Sequence, residues 1–277
     1  MATAIPNFVS SGLTEEQEEA LFVDFPKVRY DKNPLESVLV EVRFPPILRI
    51  DSESPAKFQE ALPGEFPLFK EVNPINFAPP EIAKMMQSAN IIPTSRAFSF
   101  ATGDDAWSLG LTRESLSLTC KSYTRWKDFN EKWEPAFQAF LSVYAPKFFL
   151  RVGLRYRDII SRKELGLDGV SWNDLLSPGI VTGVSHNGLE SLLANSWHQT
   201  VFQLKSQNTQ VLLQHGLQHV PIKSEHCYIF DTDFSTSTNL EPENVHNALC
   251  HFNKRSWFFF RSCIADKLHG AMSPQNI

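Results

Sequence analysis

Apolar and polar residues alternate through residues 36–44, which read ESVLVEVRF. Because successive side chains of a strand point to opposite faces, the three valines share one face, while Glu41 and Arg43 lie on the other. Two prolines follow at once, and a proline neither donates to a β-ladder nor allows its predecessor a helical backbone easily. The pattern predicts a strand over 36–44 with one apolar and one mixed face.

The alternation returns in two blocks, and each block leads into a long segment of helical periodicity. The predicted strands of the two blocks, and the strand between them, are 96–101, 106–111, 116–121, 147–160, 198–205, 209–218 and 226–234. After the first block, aromatic residues recur every three or four positions from Tyr123 to Tyr144, which predicts an amphipathic helix with a kink at Pro135. The second block predicts a closing helix over 240–268.

Shorter signals fill the rest of the chain. Thr14 and Gln17 have the spacing of a capping box, which predicts a short N-terminal helix. A second short helix is predicted over 54–64, where a proline lies near its start and a glycine follows it. The proline-rich segment 65–95 is predicted to be mostly loop, with a short helix over 81–89 as an alternative.

We predict an α+β fold in which antiparallel sheets carry long amphipathic helices, arranged as two pseudo-repeated halves. A single fused sheet carrying both helices satisfies the same pattern. The predicted divisions are an N-terminal extension over 1–29, a first α+β half over 30–160, a connector or elaborated loop over 161–196, and a second α+β half over 197–277.

The composition is that of a globular protein, with 42% hydrophobic and 21% charged residues. The formal net charge of −5 disfavours nucleic acid and anionic membranes as partners, although a local basic groove stays open. Neither a signal-peptide pattern nor an apolar run of about 18 residues occurs, so no membrane partner is expected. The four cysteines are widely spaced without a CxxC pair, which predicts free thiols and a cytoplasmic protein.

Several separated stretches together resemble one protein family. They are NPLESVLVEVRFPP, WSLGLTRESLSLTCKSYTRWKDF, FFLRVGLRYRDII and YIFDTDF, with a Phe-rich final helix that ends near KLHGAMSP. They cover most of residues 30–274 and are similar to a sporadically distributed prokaryotic family of roughly this length. The resemblance implies no particular reaction, cofactor or catalytic residue. A sporadic distribution is associated with mobile or defence-related genes.

Charged side chains on two strands form the first candidate site. Glu41 and Arg43 share a face of one strand, and Arg151, Arg155 and Arg157 share a face of another. On neighbouring strands they would form a charged ladder, whose arginines match the oxygens of a nucleotide or polyphosphate. The alternative, which we prefer, is a solvated sheet face whose ion pairs contribute about 0–1 kcal/mol each.

Two residue pairs have the spacing of metal ligands. Asp231 and Asp233 share a strand face and could offer oxygen ligands to a hard cation; the preferred alternative is a strand end where both bind local backbone groups. His246 and Cys250 lie four apart on the closing helix, as two zinc ligands would. Neither pair is completed by further ligands, and no phosphate-binding loop or nucleophile motif occurs. We therefore predict no metal, no cofactor and no catalytic residue.

Aromatic residues are numerous, with 22 Phe and 6 Trp in 277 residues. Most are expected in the core, but exposed members of the two long helices would bind a protein partner or a second copy of the chain. The candidates are Trp126, Trp133, Trp257 and Phe259. We predict a non-enzymatic protein-binding or assembly module, for example an accessory component of a prokaryotic defence or mobile-element system. The alternative is a phosphate-ligand binder or hydrolase that uses the arginine-lined sheet face.

Overall fold

The structure is a computed structural model that describes residues 12–22, 25–77, 95–182 and 192–276, together with positions 85, 88, 89 and 184. Within these residues it contains eleven strands. They are β1 (Val28–Tyr30), β2 (Leu35–Arg43), β3 (Leu68–Val72), β4 (Ala97–Ala101), β5 (Trp107–Thr112), β6 (Ser115–Cys120), β7 (Arg151–Ile160), β8 (His198–Gln203), β9 (Gln210–Val220), β10 (Glu225–Thr236) and β11 (Pro274–Asn276).

The α-helices of the described residues are two long helices and several short ones. They are α1 (Glu15–Glu19), α2 (Arg49–Ser52), α3 (Ala56–Ala61), α4 (Trp126–Tyr144), α5 (Arg162–Leu165), α6 (Pro178–Val181), α7 (Val245–Cys263) and α8 (Asp266–Ala271). The predicted capping box is confirmed, because the Thr14 side chain accepts from the Gln17 backbone and the Gln17 side chain accepts from the Thr14 backbone. Helix α4 continues through Pro135 over its whole length of 19 residues.

Nine strands form one antiparallel sheet in the order β3-β4-β5-β6-β2-β7-β10-β9-β8. Strands β1 and β11 pair in a separate two-stranded sheet. The mixed class of helices with antiparallel strands is thereby confirmed. The two blocks of strands share a single sheet, because β2 of the first block pairs directly with β7.

Strand β2 lies in the interior of the sheet and corresponds to the predicted strand over 36–44. Its three valines are fully buried and pair directly with residues of β6 and β7. Glu41 and Arg43 point to the opposite face and are partly exposed, as the alternation predicts. A one-residue slip would move the valines to the solvated face, so the register of β2 is strongly determined.

The main core lies on the face of the sheet that carries these valines. Phe129 and Trp133 of α4 and Phe252 and Phe259 of α7 belong to one apolar cluster with them. A second cluster is built around Tyr228 of β10, together with the end of α7 and with α8. Both long helices therefore contribute to the core on the same face of the sheet.

Several elements differ from the sequence prediction. Strand β3 lies in the segment 65–95 that was expected to be loop; it is an edge strand with four exposed residues, so burial gives it no alternating pattern. Strands β1 and β11 come from opposite ends of the chain, and no local pattern reveals such a pairing. The predicted closing helix ends early because Ile264 adopts an extended backbone between α7 and α8. The alternative helix over 81–89 lies mostly outside the described residues.

Residues 12–22, part of the predicted N-terminal extension, contact the second half of the chain. Glu18 is 5% exposed, and its carboxylate accepts hydrogen bonds from the backbone N–H groups of Lys205 (2.7 Å) and Ser206 (3.2 Å). Glu19 pairs with the buried Arg255 of α7, whose guanidinium also lies over the ring of Phe22. These contacts anchor the segment on α7 and on the turn between β8 and β9.

Replacing Glu18 by alanine is expected to lower the free energy of unfolding by about 1–3 kcal/mol, because two backbone N–H groups lose their acceptor. Urea denaturation measures the loss. Glu16→Ala is the matched control, since Glu16 belongs to the same helix but is exposed and should change stability little. Equal losses in both variants would contradict the anchoring role of Glu18.

Candidate functional site

A cavity of about 780 Å³ opens between α4 and α7 on the helix-covered face of the sheet. Its floor contains Tyr156 and Asp158 of β7 and Thr232 and Phe234 of β10. Residues of the segment 27–35, the start of α4 and the second half of α7 complete its walls. Pockets that hold drug-sized organic molecules have volumes of about 300–1,000 Å³. The cavity is therefore large enough for such a ligand.

Asp158 places a carboxyl group in this floor. It follows Val152, Leu154 and Tyr156 at every second position of β7, so it shares the face that meets the helices. Asp158 is 7% exposed. Within the described part of the chain, no hydrogen bond or ion pair reaches its carboxyl group. Buried polar groups are nearly always paired, because leaving one unpaired costs about 1–3 kcal/mol.

The surroundings of Asp158 favour its protonated form. Burial disfavours the ionised carboxylate, and Asp231 on the neighbouring strand adds a like charge, so the pKa of Asp158 rises to about 8. Burial also raises the pKa of the Tyr30, Tyr123 and Tyr156 hydroxyls, all of which line the cavity. At neutral pH the deep part of the cavity is thus mostly uncharged.

Aromatic rings form much of the cavity wall. On one side the ring centroid of Tyr30 lies 5.9 Å from that of Trp257 and 6.2 Å from that of Phe260. On another side Tyr123 and Tyr156 meet edge to face at 6.0 Å. Because each of these rings contacts another, the aromatic walls have a defined shape.

A few polar groups are fixed around these rings. The Tyr156 hydroxyl donates to Asn253 Oδ1 at 2.9 Å, which joins the floor to α7. The Tyr30 hydroxyl lies 2.6 Å from His269 Nδ1. Ser256 donates to the backbone carbonyl of Asn253 at 2.9 Å within the same helix. The polar groups are thus engaged with the protein, in contrast to Asp158.

Charged residues surround the mouth of the cavity. They are Lys27, Arg29, Arg125, Lys127 and Asp128. Arg125 pairs with Asp128 at 2.7 Å, and Arg29 and Lys127 have weaker pairs with Asp31 at 3.6 Å and Glu131 at 3.8 Å. Four cations and three carboxylates leave a net charge of +1 at the mouth, before Asp158 is counted. The mouth therefore exerts only a weak field on an entering ligand.

The charged ladder that the sequence predicts lies on the opposite face of the sheet. Its members and their partners are Arg43 with Glu41, Arg151 with Asp233, Arg155 with Asp231, and Arg157 with Glu36 and Asp231. Strands β2 and β7 are neighbours, so the sequence-predicted residues Glu41, Arg43, Arg151, Arg155 and Arg157 do come together. Four arginines face four carboxylates, and the formal charge of the cluster is zero.

The aspartates of β10 were misplaced by the sequence prediction. Asp231 and Asp233 lie within β10 rather than at a strand end, and both pair with arginines of β7 rather than with local backbone. Arg155 donates two hydrogen bonds of 2.5 Å to the Asp231 carboxylate. Burial raises the pKa of Asp233, although Arg151 and Arg155 oppose that shift. The strand-end interpretation is wrong because Ser235 and Thr236 continue the strand beyond Phe234, and because both aspartates pair with arginines.

No group of three or more His, Cys, Asp and Glu side chains in the described ranges has the arrangement of a metal site. His246 Nε2 lies 3.4 Å from Cys250 Sγ, so this pair shares a helix face as its spacing predicts. His246 Nδ1 also lies 3.8 Å from a Glu134 carboxylate oxygen. Both ring nitrogens of His246 thus face groups of the protein.

The aromatic candidates for partner binding divide into two pairs. Trp133 is fully buried and Phe259 is 7% exposed, and both belong to the main core. Proposing these two as a partner surface was therefore wrong, because their rings pack between helix and sheet. Trp126 and Trp257 are partly exposed, and both line the cavity.

Sequence analysis missed Asp158, although its position carried a usable signal. The strand RVGLRYRDII places an acid in phase with the buried Val152, Leu154 and Tyr156, where an apolar residue is expected. An acid in the apolar phase of a strand indicates either a buried ion pair or a functional group. The cavity itself joins segments far apart in the sequence, and no local pattern predicts it.

No protein-family model matches the sequence, and no curated protein matches it either. In the regions that the structure describes, none of the helices has both the length and the apolar character to cross a bilayer.

Proposed function

We propose that the protein binds a small organic molecule in the cavity between α4 and α7. The observation that carries this proposal is the buried Asp158 carboxyl group, which lines the cavity without a protein partner among the described residues. A buried group of this kind with a strongly raised pKa in a cleft is typical of functional sites. A ligand in the cavity would provide the partner that the fold does not.

The arginine-lined face of the sheet gives less support to a phosphate ligand. Each of its arginines already pairs with a carboxylate of the same face. A phosphate would have to displace Asp231 from Arg155, and the Asp231 side chain is 3% exposed. Since a buried carboxylate separated from its arginine is strongly unfavourable, the cluster supports a structural role.

We also propose that the chain consists of two repeated halves. The order β4-β5-β6-β2 on one side of the sheet has the same connectivity as β8-β9-β10-β7 on the other, as a two-fold axis between β2 and β7 would produce. Val40 pairs directly with Leu154, and a shift that aligns these two also aligns Arg43 with Arg157. Each meander is followed by a helix of 19 residues.

The same alignment places Phe44 in the first half at the position of Asp158 in the second. Phe44 is buried, and its ring lies 4.9 Å from that of Phe140 and 6.2 Å from that of Phe149. The position in the first half is thus filled by apolar rings, whereas the position in the second half adjoins a cavity. This asymmetry supports a ligand site at Asp158, because packing alone is satisfied by a residue such as Phe44.

A fluorescence titration with 8-anilinonaphthalene-1-sulfonate, a probe of apolar cavities, tests the proposed function. The wild-type protein is expected to bind one probe molecule saturably. Ser256→Phe should weaken binding by about tenfold or more, equivalent to about 1.4 kcal/mol, because the new ring projects into the cavity from α7.

Ser262→Phe is the matched control for this titration. Ser262 is an exposed serine of the same helix, it bonds to backbone carbonyls as Ser256 does, and it does not line the cavity. The Ser262→Phe variant should bind the probe with the affinity of the wild type. Absence of saturable binding, or equal affinity in both variants, would overturn the proposal.

Other expectations from the sequence remain proposals. A protein-binding or assembly module, membership of the sporadic prokaryotic family and a role in defence all belong here. The exposed side chains of Leu68 and Phe69 on the edge strand β3 favour a partner surface, since exposed apolar side chains on a sheet edge invite pairing. A cytoplasmic location is supported by the four free cysteines.

A further inference from the structure

We infer that the ligand of the cavity is an organic cation whose ammonium or amidinium group pairs with the Asp158 carboxylate. This inference rests on the proposed function, because it gives the chemical class of the ligand for that same site. Three properties of the cavity carry it: the missing counter-charge of Asp158, the aromatic rings of the walls, and the charge balance at the mouth.

Asp158 faces no cation of the protein at close range. The charged and titratable groups that interact with it are Asp231 of β10, Tyr30 of β1, Tyr156 of β7 and Cys263 of α7. None of these carries a positive charge, and the cations of the cavity lie at its exposed mouth. A ligand cation at the floor would therefore supply the counter-charge that ionised Asp158 lacks.

Aromatic rings line the cavity around Asp158. Elsewhere in the described chain, arginines lie over aromatic rings; Arg255 lies 4.0 Å from the ring centroid of Phe22, and Arg162 lies 4.8 Å from that of Trp172. Within the described residues, no such contact involves a ring that lines the cavity. Aromatic walls around an acid are the arrangement with which proteins hold organic ammonium ions.

The charge balance allows a cation to enter past the basic mouth. Three of its four cations have carboxylate partners, which leaves a net charge of +1. When a cationic ligand binds, the Asp158 carboxyl releases its proton to solvent and keeps the resulting negative charge for the ion pair. The ligand cation takes the place of the carboxyl proton, so the net charge of the site does not change.

The binding step therefore exchanges a proton for the ligand. At pH values below the pKa of Asp158, the affinity for an amine that stays protonated is expected to rise about tenfold per pH unit, since the carboxyl must ionise first. Above about pH 8, where Asp158 is already ionised, affinity should level off. An aliphatic amine stays protonated over this range because its own pKa is near that of lysine, about 10.4.

Isothermal titration calorimetry with tryptamine and tryptophol separates charge from shape. These two probes share the indole ring and differ by an ammonium group in place of a hydroxyl group. At about pH 7 the wild-type protein is expected to bind tryptamine about tenfold or more tightly than tryptophol. In buffers of different ionisation enthalpy, tryptamine binding at about pH 6.5 should release close to one proton, and tryptophol binding none.

Two variants identify the group responsible. Asp158→Asn should abolish both the preference for tryptamine and the proton release. Asp105→Asn is the control, since Asp105 is an exposed aspartate that pairs with Lys121 and does not line the cavity, and this variant should keep the preference within about twofold of wild type.

The outcomes distinguish the two levels of the proposal. Equal affinity for both probes, or a tryptamine preference that survives Asp158→Asn, would overturn the cationic ligand while the cavity remains a binding site. If 8-anilinonaphthalene-1-sulfonate binds but neither tryptamine nor tryptophol does, the cationic ligand is likewise overturned. If the dye does not bind either, the proposed function fails and this inference fails with it.

Discussion

At about pH 8, replacing Asp158 by asparagine is expected to raise the free energy of unfolding of the ligand-free protein by about 2–4 kcal/mol. Asparagine has nearly the shape of aspartate but cannot ionise in the apolar floor of the cavity. The gain should vanish below about pH 3, where the aspartate of the wild type is protonated in both the folded and the unfolded chain. Guanidinium denaturation at several pH values between these limits measures the effect.

Asp158→Asn is expected to stabilise the protein because folding raises the pKa of Asp158. The pKa of Asp158 rises to about 8 on folding, from about 3.9 in an unfolded chain, because burial and Asp231 disfavour the carboxylate. Between these two values the folded state binds the extra proton, so stability falls by up to about 1.4 kcal/mol for each pH unit. Below about pH 3 Asp158 causes no loss of stability, and above about pH 8 the loss is complete.

Asp128 provides the contrasting case for this experiment. Hydrogen bonds from Thr124 and Arg125 lower the pKa of Asp128, so its ionised form favours the folded state. Asp128→Asn should therefore give no gain in stability at pH 8. A loss of stability in Asp158→Asn at every pH would mean that the carboxylate is held by a favourable partner, contrary to the unpaired position described above.

Strands β2 and β3 show why one strand was predicted from the sequence and the other was missed. Strand β2 was found because its valines are buried while Glu41 and Arg43 are not. Strand β3 was missed because four of its five residues are exposed at the edge of the sheet. A strand is easiest to recognise in a sequence when burial differs between its two faces, although the exposed strand β8 was also predicted.

The contents of the cavity show where prediction from sequence stops. The acid at position 158 breaks the apolar phase of its strand, and this break can be read without a structure. Whether such an acid meets an arginine or an empty space depends on which segments pack above it. Tyr30 and Trp257, which lie beside each other in the wall, are separated by most of the chain. Contacts of that kind come from the tertiary fold and not from local patterns.

The two faces of β7 treat their charges in opposite ways. On the face opposite the helices Arg155 and Arg157 both contact Asp231, so their charges are balanced within the sheet. On the helix-covered face Asp158 has no such partner within the described residues. The charged side chains of the arginine cluster pair with one another, whereas the unpaired Asp158 carboxyl lines a cavity that is large enough for a ligand. Whether a charged group has a partner within the protein therefore distinguishes the structural arginine cluster from the candidate site.

Replacing Asp231 by asparagine is accordingly expected to lower the free energy of unfolding by about 2–3 kcal/mol at about pH 5. The substitution keeps the shape of the side chain but removes a buried negative charge that two arginines share. The full cost of about 3–5 kcal/mol for breaking a buried pair is reduced here, because Arg155 and Arg157 retain partial contact with solvent. Urea denaturation of both proteins measures the difference.

Glu71→Gln is the matched control for this variant. Glu71 accepts two hydrogen bonds from Arg96, at 2.8 and 2.9 Å, in the same two-pronged geometry, but on the exposed edge strand β3. Loss of this ion pair should leave the urea unfolding curve within experimental error of the wild type, because exposed pairs contribute little.

The Asp231→Asn variant should also show a specific pH dependence. Since the charge of Asp231 raises the pKa of Asp158, the loss of unfolding free energy in Asp231→Asn should be smaller at about pH 9 than at about pH 5. Equal costs at both pH values would contradict the coupling between the two aspartates across the sheet.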